Sequence, residues 1–157
     1  MIMRVISIAA LLFVLLAASV QAVTESEPND ARIQANAFTI GDTLQGGLPG
    51  SFGGDNPPVD YWSFSATGGQ QYSFNATSNG SFISPLDLAL DIEDSGGTVL
   101  VSKDDNGANQ PENLTWTAPS GGTFYLVVWE ATATQNAIST YTVSTGLASG
   151  VDDWSLY

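Results

Sequence analysis

The densest chemistry in this sequence lies near its start, where Glu25-Ser26-Glu27-Pro28-Asn29-Asp30 sets three carboxylates and one amide within six residues. Donors of this kind suit a hard cation. Calcium takes six to eight oxygens at about 2.3–2.6 Å, and short acidic side chains on a turn supply them. Pro28 confines Glu27 to extended or turn backbone, which limits how far the donors scatter. A second oxygen-rich run spans Ser51 to Asp60 and holds Asp55, Asn56 and Asp60 in a Gly/Pro-rich loop. Neither run has the twelve-residue ligand spacing of an EF-hand. On spacing alone the two runs also read as a solvated acidic linker followed by an ordinary Asx-rich turn. A third acidic group consists of Asp87 and Asp91 on one strand face, Asp94 at a turn, and Asp104 and Asp105 where the partner strand ends. It reads either as a second cation site, through Asp87, Asp91, Asp104 and Asp105, or as a charged sheet face with a turn.

The overall charge points the same way. All sixteen acidic side chains follow residue 22, where only Arg32 and Lys103 oppose them. Such a surface is unsuited to nucleic acid, which is bound by neutralising phosphates with Lys and Arg, and equally to anionic membranes. It favours cations, although acidity also serves solubility. Ahead of it, residues 1–22 have the layout of a secretory signal: Arg4, an apolar run over residues 5–18, then Val20-Gln21-Ala22, with cleavage expected after Ala22. The apolar run is shorter than the roughly 20 residues a membrane span needs. The expected product is secreted or periplasmic and monomeric, with no membrane span. Residues 23–157 have the length of one domain. The chain has no cysteine, and a domain of this size buries enough surface to fold without disulfides.

From about residue 36 onward, short apolar runs alternate with Gly, Ser, Asn and Asp clusters, the signature of an all-β domain. Trp62, Phe64 and Ala66 share one face of a strand, and Tyr72, Phe74 and Ala76 repeat the pattern after the Thr67-Gly68-Gly69 turn. Leu86, Leu88, Leu90 and Ile92 alternate with Asp87, Ala89, Asp91 and Glu93, and Ser95-Gly96-Gly97 turns that run into Thr98–Ser102 as a hairpin. Leu114 and Trp116 mark a short strand. Phe124–Trp129 is continuous enough in β-branched and aromatic residues for a central strand covered on both faces. Tyr141 and Val143 mark the last strand. Seven to nine strands without helices predict a two-sheet antiparallel β-sandwich. The segment 23–37 is polar and lacks a β pattern, so something other than apolar burial must hold it down.

These motifs in their order carry a resemblance. Glu25-x-Glu27-Pro28-Asn29-Asp30, a Gly-x-Leu, Asp60-Tyr61-Trp62-Ser63-Phe64, Leu88-Ala89-Leu90-Asp91 with Gly96/Gly97, Asp104-Asp105-Asn106, Gly122–Val128 and Tyr141-Thr142-Val143 resemble the bacterial pre-peptidase C-terminal domain family over residues 25–146. The resemblance implies a jelly-roll-like sandwich over residues 38–146, followed by a tail over 147–157. It also implies a non-catalytic module of a kind appended to secreted peptidases and related to collagen-binding domains of bacterial collagenases. In such relatives calcium ties the acidic segment to the sandwich. Matched by position, its ligands would be Glu25, Glu27, Asn29 and Asp30 from the segment, with Ser51, Asp55 and Asp60 from the loop. The loop is longer here by one residue around Pro57-Pro58, so Asn56 competes with Asp55 for its place.

Catalysis has few candidates. Without His or Cys there is no nucleophilic triad and no histidine-ligated zinc. Glycoside hydrolysis needs only two carboxylates flanking a cleft, and a small sandwich filled by its own core seldom leaves one, so no enzymatic activity is expected. Trp116, Tyr125 and Trp129 offer flat faces to an extracellular polysaccharide or protein, unless they belong to the core. The alternative is a spacer or secretion-linked appendage without a specific ligand.

Overall fold

In a computed structural model of the chain, the structure describes residues 20–48, 58–79, 86–132 and 139–148. The alternation read from the sequence builds two five-stranded sheets from these residues. The first runs β1 (Ala22–Thr24), β3 (Thr43–Leu48), β10 (Ser139–Leu147), β5 (Gln71–Ser78), β8 (Glu112–Thr117). The second runs β2 (Asn36–Ala37), β4 (Val59–Ala66), β9 (Gly122–Glu130), β6 (Leu88–Glu93), β7 (Val99–Lys103). The fold is a β-sandwich.

The two sheets meet through the expected inward faces. Trp62, Phe64 and Ala66 of β4, Tyr72, Phe74 and Ala76 of β5, Leu88, Leu90 and Ile92 of β6, and Phe124, Leu126 and Val128 of β9 are all buried. Phe64 lies among Phe38, Tyr72, Phe74, Trp116 and Phe124, with ring centroids 5.3–6.4 Å from its own. Most of these are edge-on or tilted, the arrangement that the quadrupoles of aromatic rings favour. β9 lies between β4 and β6, as its composition predicts.

Two features depart from the reading of the sequence. The segment 23–37 does contain β structure: β1 pairs with β3 and β2 with β4, both in parallel, among otherwise antiparallel neighbours. Each is too short to show a period, and backbone hydrogen bonds hold it, helped in β1 by the half-buried Val23, which packs against the core. Glu25 N–H, for example, donates to the Gln45 carbonyl at 3.0 Å. Ala22, after which cleavage is expected, is the first residue of β1. The segment also makes a single turn of 3-10 helix at Arg32–Gln34. Arg32 Nε lies 3.6 Å from Glu93 Oε2, and Tyr61 donates its hydroxyl to Glu93 Oε1 at 3.4 Å. Gly97, at φ +88°, closes the β6–β7 turn against the Arg32 guanidinium, and any Cβ there would collide with it. The leader is therefore fixed to both sheets.

Candidate metal centre

Three elements bring the acidic leader to the sandwich. Glu25 directly follows β1, and Gly47 N–H of β3 donates to its Oε1 at 2.6 Å. The Glu27–Pro28 peptide bond is cis. Glu27 Oε2 accepts from Asn29 N–H at 3.0 Å, while the Asn29 carbonyl accepts from Tyr61 N–H at 2.9 Å, so the leader docks on the start of β4. Asp60 belongs to the inward face of β4 and is fully buried. One carboxylate oxygen from each of Glu25, Glu27 and Asp60 lies within 4.8 Å of the other two. That span is about twice a calcium–oxygen distance, so a single ion can reach all three.

The fully buried Asn29 tests the fit of a cation. As placed, its side-chain oxygen stands 2.9 Å from Glu27 Oε2 and 3.3 Å from Asp60 Oδ1, acceptor against acceptor. Turning the amide makes its NH2 the donor to both and lets its oxygen accept from Asn36 Nδ2 at 3.2 Å. A cation among the oxygens removes the same conflict without the turn. The donor set, carboxylates plus an amide oxygen, is the oxygen chemistry calcium takes.

Behind the carboxylates stands a pair that the sequence reading did not connect to them. Tyr141 donates its hydroxyl to Asp60 Oδ2 at 2.6 Å, and Trp62 Nε1–H donates to the Tyr141 oxygen at 2.9 Å. A phenol on an inward face must find a partner, and that was the available signal. Burial pushes Asp60 up to about 8, the Glu25 and Glu27 charges push it the same way, and the hydrogen bond from Tyr141 opposes them. Burial also raises Glu25, against hydrogen bonds from Asp60 and Gly47. Tyr141 is raised well above its ordinary value by burial and by Asp60. Without a cation, the cluster holds a proton near neutral pH.

Other residues expected at the site fall as follows. Asp30 is exposed and lines, with Glu25, Glu27 and Thr140–Thr142, a cavity of about 770 Å³ beside the cluster. Ser51, Asp55 and Asn56 lie outside the described residues. In the third acidic group, Asp87 precedes β6, with its surroundings formed by Asp104, Glu112 and Glu130. Asp91 faces outward on β6, near Tyr61 and Glu93. Asp104 and Asp105 are exposed, and Asp105 pairs with Lys103. Trp116 is a core residue, 8% exposed with its ring 4.8 Å from that of Phe124, so it presents no face to a partner. Tyr125 and Trp129 are half-buried on the outer face of β9.

Gly46 on β3 sits under this arrangement, and a Cβ there would run into the Tyr141 phenol and Glu25 Oε2. Gly46→Ala is expected to cost about 1–3 kcal/mol by overpacking and to abolish any stabilisation by calcium. Melting curves with and without the ion check both.

The profile of the bacterial pre-peptidase C-terminal domain matches residues 58–130. Over that stretch the chain is similar to a pre-peptidase C-terminal domain. Such domains are generally non-catalytic accessory units. Among solved structures, the pre-peptidase C-terminal domain of a Bacillus anthracis collagenase is 19% identical. That alignment covers 77% of this chain and 99% of that one at a TM-score of 0.51, a likeness of fold. The periplasmic g-type lysozyme inhibitor PliG of Aeromonas hydrophila is 14% identical over 71% of this chain and 98% of its own, at a TM-score of 0.43. No curated protein matches the sequence. Asp60 lies inside the matched stretch, and Glu25 and Glu27 lie ahead of it. No helix among the described residues is long and apolar enough to cross a membrane.

Proposed function

We propose that this chain is an exported, non-catalytic accessory module in which calcium ties the leader to the sandwich, held by Glu25, Glu27 and Asp60 with the Asn29 amide oxygen and with Asp30, Ser51 and Asp55 as further ligands. The observation that carries this reading is the convergence of three carboxylates from two separated stretches within 4.8 Å. Like charges gathered so closely repel, and a divalent cation turns that repulsion into a crosslink. The ion supplies structure, not a reaction. The module then presents a fixed surface to an extracellular protein or polysaccharide. Tyr61, Tyr125 and Trp129 share the outer face of β4 and β9 beside Glu93, and they offer flat rings next to carboxylates for such a partner. Export rests on the signal-like residues 1–22.

Extracellular modules bind calcium at about 10⁻⁴–10⁻³ M, and at a hundred times the dissociation constant binding adds about 2.7 kcal/mol. Calcium is therefore expected to raise the melting temperature and to protect residues 23–37 from protease, with chelator reversing both. Identical melting and digestion in calcium and in chelator would sink the reading.

A further inference from the structure

A second set of acidic side chains lies at the same end of the sandwich. Asp60 pairs with Val128 on β9; two residues further along β9, Glu130 pairs with Leu88 at the start of β6. Glu130 continues the inward alternation of Phe124, Leu126 and Val128, and is 1% exposed. Glu112 does the same ahead of Leu114 and Trp116 on β8, and is fully buried. Asp87, 7% exposed, has its carbonyl bound by Ala131 N–H at 2.8 Å, which closes it onto the end of β9. The β7–β8 loop folds over them: Asn109 N–H donates to the Leu86 carbonyl at 2.9 Å, and Asn106 N–H donates to Glu112 Oε1 at 2.6 Å.

Four buried carboxylate oxygens here have no donor among the described residues: Asp87 Oδ1, Glu112 Oε2, and both oxygens of Glu130. Among the described residues the two cationic side chains are engaged elsewhere, Arg32 with Glu93 and Lys103 with Asp105. The carboxylates feel one another. Burial and then the Asp87 charge push Glu130 up to about 6, and burial, Asp104 and Glu112 raise Asp87. Buried charge without a partner is costly unless a counter-charge or a metal compensates it.

We propose that Asp87, Glu112 and Glu130 hold a second calcium ion, separate from the one at the leader, which clamps the start of β6 and the end of β9 to β8 in the opposite sheet. Asp104 adds charge at its exposed rim, while Asp91 and Asp105 belong to other surroundings. Unlike those of Glu25, Glu27 and Asp60, oxygens of these three do not all lie within 4.8 Å of one another, so water fills the rest of this ion's shell.

Calorimetric calcium titration of the full chain tests this with three proteins. Asp87→Asn/Glu130→Gln is expected to bind one equivalent fewer than the unsubstituted protein and to keep calcium protection of the leader. Glu25→Gln/Glu27→Gln is expected to lose leader protection and still to bind one equivalent that raises its melting temperature. The second arm stands whether or not the first variant folds. Unchanged stoichiometry in Asp87→Asn/Glu130→Gln, or no calcium binding by Glu25→Gln/Glu27→Gln, overturns the second site. Leader protection that survives Glu25→Gln/Glu27→Gln overturns the leader site instead.

Discussion

Calcium affinity at the leader is expected to fall about tenfold for each pH unit below 8, reaching about a hundredfold loss at pH 6. The reason is Asp60, which burial holds at about 8 and which must give up its proton to bind a cation. Near pH 7 each calcium bound should release close to one proton, and titrations in two buffers of different ionisation enthalpy measure it. The same shift sets the stability of the calcium-free protein, with the opposite dependence. A carboxyl raised from 3.8 to about 8 on folding binds more protons in the folded state throughout that window. Calcium-free stability therefore declines as pH rises from about 4 to about 8. Saturating calcium should flatten that decline, and Asp60→Asn should remove its largest component. An affinity that stays level between pH 6 and pH 8 would refute the proton exchange.

Phe64→Ala is expected to destabilise the fold by about 3–5 kcal/mol. Phe64 is 3% exposed and touches aromatic rings from both sheets, so its loss leaves a cavity that no single neighbour can fill. Against a typical total of about 5–15 kcal/mol, that is a large share. With a slope of about 1–3 kcal/mol per molar urea, the midpoint should drop by roughly 2 M at unchanged slope. The adjacent Ser65 points outward and is exposed, and Ser65→Ala should stay within about 0.5 kcal/mol. Comparable midpoints for the two variants would mean that the core is not organised around Phe64.

Much of the sandwich was legible because its inward faces keep strict period two: Trp62-x-Phe64, Tyr72-x-Phe74 and Leu88-x-Leu90 name their strands and their buried sides at once. β1 and β2 were not legible, since strands of three and two residues carry no period and their parallel partners are chosen by where the chain runs. At the candidate metal centre, Glu25, Glu27 and Asp60 stood out as carboxylates near Asn and Pro. Tyr141 did not. It acts on Asp60 from 81 residues away, and its type suited the core equally well. Glu112 and Glu130 show the opposite difficulty. Each occupies an inward position of an apolar alternation, and that parity was the signal; attention to crowded acids passed over isolated ones.

The way the leader joins the sandwich has a consequence for solubility. β1 and β2 are the outermost strands of the two sheets, so a single stretch of chain covers the free backbone of both β3 and β4. Peeling it away would bare two rows of unpaired N–H and C=O groups together, the template on which separate molecules stack into aggregates. Whatever secures the leader thereby guards the molecule against joining copies of itself strand to strand.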